Sequence, residues 1–143
     1  MCSIATNVIL LRIALGLADP TQETAPINCS HVDDIARVHV LALDPRIEGN
    51  QSLIFSSSGT DGNPSSYSET NTIIAKRFPD AVSDGKLLNT GAVKDVVGHL
   101  DVSKMEKTFQ FKPISYEDTV VGLVGHYLEL LEKETTEPTT NGH

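Results

Sequence analysis

The stretch 30–45, SHVDDIARVHVLALDP, places His31, Asp33 and Asp34 within four residues and adds His39 a turn and a half later. Imidazoles and carboxylates so close together are the material of metal sites and of general acid–base pairs. The spacing argues against both. On an extended piece His31 and Asp33 share a face, but His39 lies more than a turn into the helix that follows. The histidines are eight apart, not the four of an HExxH helix. A structural role accounts for more of the residues. Asp33 is placed to cap a helix running roughly from Asp33 to Leu43, and Asp34 to complement its positive end. Ile35, Val38, Val40, Leu41 and Leu43 make that helix apolar nearly all round, as in one buried on both sides.

The other reactive residue types are scattered. Cys29 lies two residues before His31, on the same face of an extended piece. A cysteine nucleophile needs a base in reach and an electropositive setting, and Asp33 and Asp34 oppose that, so a small buried cysteine is expected. His99 and His126 stand alone. Lys76-Arg77 is an adjacent pair expected on a solvated helix flank. The glycine pairs Gly59/Gly62 and Gly122/Gly125 do not form GxGxxG, and no serine sits in a GxSxG elbow. The catalytic, cofactor-binding and metal-ligand sets of this chain are therefore expected to be empty.

These residues hang on elements that can be placed by periodicity. Residues 6–17 read as a helix stopped by Gly16, followed by a loop with Pro20 and Pro26. A short extended piece spans Ile27–Val32, and Asp44-Pro45 ends the helix after it. Leu53-Ile54-Phe55 is a candidate buried strand. Ser66-x-x-Glu69 is a capping-box pattern opening a helix that Pro79 closes. Residues 84–95 read as loop with a short extended piece, and Asp101 as the cap of a brief helix. Ser115 caps the clearest helix, whose broad apolar face runs from Val120 to Leu131. Residues 132–143 carry no apolar payload and are expected to be a disordered tail after a single domain, 1–131. Helices alternating with few short strands give an α/β class without enough strands for a complete doubly wound sheet.

Composition excludes other classes. Nineteen acidic residues against 11 basic ones give a net charge of −8, which repels a polyanion, so no nucleic-acid partner is expected. Two cysteines, neither in a CxxC pair, fit a reduced, cytoplasmic setting. Arg12 interrupts the apolar run at 8–18, which is too short for a membrane span. The glycosylation patterns at Asn28 and Asn50 then carry no meaning.

In order, HVDDIARVHVLALDP, EGNQSLIFSSS, IIAKRFPDA and DVSKMEKTFQFKPISYEDTVVGLVGHYLEL resemble the C-terminal part of the extended short-chain dehydrogenase/reductase family. Within it the likeness is to fungal NADP-dependent aldehyde and ketone reductases of the methylglyoxal type, from about Asn7 to Leu131. The "D-x-SK-x-E" stretch (Asp101, Ser103, Lys104, Glu106) is part of the likeness. Gln110 departs from it where the family has glycine in an "LGF" turn, so a strained or altered helix end is expected there. The resemblance implies an incomplete Rossmann-type fold: substrate-domain helices plus the last strand region. It also implies a complete relative that binds NADP on a glycine-rich turn and transfers a proton through a serine and a Tyr-xxx-Lys pair. None of these maps here. Four residues after Tyr67, Tyr116 and Tyr127 stand Asn71, Val120 and Leu131. The implied function is a truncated reductase-like protein without its catalytic half. The alternatives are a non-catalytic interaction module or one chain of a split reductase. Apolar faces at 6–17 and 35–43 are the expected surfaces for self-association or a partner chain.

Overall fold

The computed structural model describes residues 6–24, 27–57, 66–94, 96 and 100–136. Six helices follow one another: α1 Thr6–Ala14, α2 Val32–Leu41, α3 Glu69–Arg77, α4 Pro79–Ser83, α5 Ser103–Phe109 and α6 Tyr116–Thr136. Three of them, α1, α3 and α6, pack against one another around the core. Each contributes one stripe at helical spacing: Leu10, Ile13 and Ala14; Ile73 and Ile74; Tyr116, Val120 and Val124. Side chains such as Leu10, Ile13 and Val120 are essentially sealed from water, and each contributes about 1.5–3 kcal/mol of transfer free energy.

The loop after α4 locks α1 in place. Asn89 N–H donates to Ala14 O at 2.8 Å and Gly91 N–H to Ile13 O at 3.1 Å, so a loop closes the open carbonyl end of α1. Gly91 is required there, because a Cβ would come within 2.6 Å of Ile13 Cα. Asn71 Nδ2 donates to Gly91 O and Asn89 Nδ2 to Asn71 O, both at 2.9 Å, which ties α3 to the same loop.

Several expectations change. Helix α1 ends at Ala14, earlier than residue 17, with Gly16 at φ +70 just beyond it. Helix α3 starts at Glu69 without a side-chain cap; Ser66 Oγ instead accepts from Ser68 N–H at 3.1 Å, a local turn outside the helix. Pro79 opens α4 at its first position, where its missing N–H costs nothing. Helix α2 ends at Leu41, not Leu43. Helix α6 continues as exposed helix through 132–136, the first part of the expected tail, and residues 137–143 lie outside the described residues. The cap of α6 is as expected: Asp118 N–H donates to Ser115 Oγ at 3.1 Å and Ser115 Oγ–H to Asp118 Oδ2 at 2.7 Å.

Among the described residues no strand forms, and the one pairing is an isolated parallel bridge between Glu23 and Lys94. The extended pieces at 27–31 and 53–57 do meet. Ser57 N–H and Ser57 Oγ both donate to Cys29 O at 2.7 Å, and Ser56 Oγ at 3.3 Å. Three donors converging on one carbonyl make a knot, whereas a ladder distributes its bonds along both chains. The expected buried strand at 53–55 is accordingly extended but open, with Ile54 52% exposed.

The largest difference is α2. Its one buried residue is Asp34, while Val32, Val40 and the following Leu43 are 73%, 68% and 81% exposed. The helix expected to be covered on both sides is covered on one, and thinly. A sequence can make a helix apolar, but only a neighbouring element can bury it.

Candidate functional site

Each suspected catalytic side chain around α2 has a structural task. His31, not Asp33, is the N-cap: its Nδ1 accepts from Asp33 N–H at 3.3 Å. Asp33 is displaced into solvent, its side chain 80% exposed and its Oδ2 3.6 Å from His31 Nδ1. Asp34 reaches across to accept from Ile114 N–H at 2.6 Å, fastening α2 to the segment that leads into α6. His39 Nδ1 lies 2.7 Å from Ile35 O, so its ring is turned back onto its own helix. Only His31 and Asp33 stay together, at the cap, while Asp34 and His39 turn to separate partners. No group of three or more His, Cys, Asp and Glu could hold a metal ion among the described residues.

The remaining candidates follow suit. Cys29 is a free, buried thiol, and burial pushes its pKa up, away from thiolate chemistry. Tyr116 lies in the same core; its hydroxyl is 2.8 Å from Thr70 Oγ1, and burial raises its pKa well above that of a free phenol. A tyrosine acting as proton donor near neutral pH needs the opposite shift. Lys76 and Arg77 stand on the exposed helix flank expected of them, and both are also paired. They hold Glu117 at 3.2 and 2.9 Å, joining α3 to the first turn of α6, and Arg77 foremost keeps the Glu117 carboxyl below its usual pKa. His126 is exposed, with Nδ1 3.9 Å from Glu129. His99 and the Gly59/Gly62 pair lie outside the described residues.

Two surface features lie beside these residues. One is a cleft of about 280 Å³ where α1, the start of α2 and α6 meet, lined by Asn7, Ser30, His31, Thr119, Leu123 and His126 among others. Gly122 opens it: a Cβ there would stand 3.5 Å from His31 Nε2. Glycine inside a long helix was the available signal. The other is the exposed row Val32, Ala36, Val40 and Leu43 along α2, with spacings of four, four and three that put these residues on one side of a helix. Of the two apolar faces expected to meet a partner, that of α1 is largely used in the core, leaving Val8 and Leu17 outside, and that of α2 is open.

Comparison with known proteins gives the context. The chain is 44% identical over 132 residues to "Ketoreductase CTB6" of Cercospora beticola and, at the same identity and length, to that of Cercospora nicotianae. The similarity is to part of a reductase. It takes in 91% of this chain but 36% of each relative, so the chain spans about a third of the length of the curated relatives it matches. No family model and no solved structure matches. Among the described residues no helix is long and apolar enough to cross a membrane.

Proposed function

We propose that this chain is the C-terminal, substrate-side portion of an NADP-dependent reductase of the extended short-chain dehydrogenase/reductase family, and that it has no reductase activity by itself. The reduction would be of an aldehyde, a ketone or a natural-product intermediate. The glycine-rich turn, the serine and the Tyr-xxx-Lys pair of that reaction would be supplied by residues outside these 143. The observation that carries the reading is the 44% identity confined to 36% of each ketoreductase. The residues agree with it. Tyr67, Tyr116 and Tyr127 are each without a lysine four residues on, and Tyr116 is committed to Thr70. Without N–H groups aimed at a pyrophosphate, the dinucleotide lacks its main anchor.

The open row on α2 supports the same reading from the packing side. Val32, Val40 and Leu43 are where a nucleotide-binding half would seat, turning the paired extended pieces at 27–31 and 53–57 into the end of a sheet. The fold is then an incomplete Rossmann type. A second reading, a non-catalytic module that binds a partner or a second copy through that row, is favoured by the same exposure. Nucleotide calorimetry and ketone turnover separate them from an independent enzyme. The purified chain is expected to show neither saturable NADPH binding nor NADPH consumption; turnover by the chain alone would refute the proposal.

A further inference from the structure

The extended run around Ile54 leaves a backbone edge open. In an extended chain, successive residues turn their N–H and C=O groups to opposite edges. Ser57 N–H donates to Cys29 O at 2.7 Å, and Ser30 Oγ–H donates to Phe55 O at 3.4 Å, so residues 55 and 57 face the 27–31 piece. Ile54 therefore presents its N–H and C=O to the other edge, and neither has a partner among the described residues. The residue is 52% exposed, so this edge is accessible. The run is also held in place. Phe55 lies against Phe111, with ring centroids 6.2 Å apart, and the Arg37 guanidinium sits 4.4 Å from the Phe111 centroid. Lys104 Nζ donates to Ser52 O at 3.4 Å.

Charge and symmetry select what pairs with this edge. Strand edges are normally blunted by charged residues or proline, yet Gly49 to Gly59 contains neither. The net charge of −8 makes two copies repel as wholes, but at this run they can approach without bringing carboxylates together. The charges attached to it are cations, Lys104 through Ser52 O and Arg37 through the ring stack, and a cation is drawn to an acidic second copy. We propose that this edge pairs with the same edge of a second copy, antiparallel about Ile54 across a two-fold axis. In that register the two Ile54 residues exchange both N–H···O=C bonds, and Leu53 stands opposite the second copy's Phe55, where side chains come closest. A foreign strand can meet the same backbone groups; a second copy also brings a matching uncharged run and its own cations. One short strand buries less than a standard interface, so the dimer is weak and depends on concentration. The seam uses none of the α2 row, and a strand at the end of a larger sheet keeps an outer edge, so the inference does not rest on the reductase reading.

Sedimentation equilibrium of the full chain across the micromolar to millimolar range, with amide hydrogen exchange at both ends of that range, tests it. A monomer–dimer equilibrium is expected. The Ile54 amide should exchange at least tenfold more slowly in the concentrated sample, while the Leu53 amide, which points to the other edge, changes less than twofold. Ile54→Lys places two like charges at the two-fold axis and should weaken the dimer at least tenfold with helix content unchanged. Val40→Lys combined with Leu43→Lys should leave it within twofold. A chain monomeric throughout, a dimer whose Ile54 amide is unprotected, or a dimer that Ile54→Lys leaves intact would overturn the pairing. So would a dimer lost with the two α2 lysines instead, which would move self-association to the α2 row. The exchange measurement on the unaltered chain decides the matter even where Ile54→Lys fails to fold. None of these results bears on the reductase reading, because neither nucleotide nor ketone is present.

Discussion

Asp33 and Asp34 are neighbours of the same type with opposite fates, and the difference is measurable. Asp34 is buried and accepts from the Ile114 amide; Asp33 is exposed beside the cap. Removing an ionised acceptor leaves a partly buried N–H unpaired, so Asp34→Ala is expected to cost about 1.5–3 kcal/mol in urea unfolding. Asp33→Ala loses only its favourable position at the helix end, about 0.3–1 kcal/mol. Equal losses would contradict these assignments. Sequence reasoning chose the wrong aspartate as the anchor because a capping pattern does not say which residue finds a tertiary donor. Cys29 was legible, since Asp33 and Asp34 oppose a thiolate and an unreactive cysteine is usually buried. Its consequence is alkaline. The folded-state pKa values of Cys29 and Tyr116 lie above the unfolded values of 9.0 and 10.0, so the folded chain retains protons that the unfolded chain has released. Their contribution to stability is complete below pH 9.0 and is lost progressively as pH rises beyond it. Urea midpoints from pH 7.5 upward should fall above about pH 9, and Cys29→Ala should delay that fall toward the tyrosine range.

At the scale of elements, spacing and capping patterns located every helix described except α4, and missed their surroundings. The stripe on α6 and its Ser115 cap follow from spacing alone, because both are local. Helix α2 reads as buried on both sides because its composition is apolar, yet burial depends on a partner surface that no residue within the helix encodes. The extended run at 53–55 likewise has strand composition but lacks the ladder that would make it a strand. Two backbone positions test how tightly the elements are joined. Gln110 ends α5 at φ 56, a left-handed conformation that a side chain disfavours, which accords with the departure from glycine noted there. Gln110→Gly should therefore raise stability by about 0.5–1 kcal/mol, read as a Tm increase of a few degrees. Gly91→Ala should do the reverse, because the new methyl would press on the α1 backbone at Ile13 rather than on a movable side chain. A loss of about 1–3 kcal/mol is expected, and unchanged stability would show that the loop is not seated on α1 as described.

For the whole molecule, what stands out is a core complete on one side and an apolar row exposed on the other. α1, α3 and α6 enclose a continuous core, while Val32, Val40 and Leu43 face solvent. That asymmetry, the absent Tyr-xxx-Lys pairing and a match to a third of two ketoreductases are what the proposed need for a second half rests on. Substituting this chain for the stretch of the Cercospora beticola ketoreductase that it matches, and assaying NADPH-dependent ketone reduction, puts that conclusion to its most direct test. A folded chimera that reduces ketone is expected, with activity lost when Val40 and Leu43 are both changed to Lys. A chimera that folds and binds NADPH but reduces nothing, or one indifferent to those two charges, would contradict it.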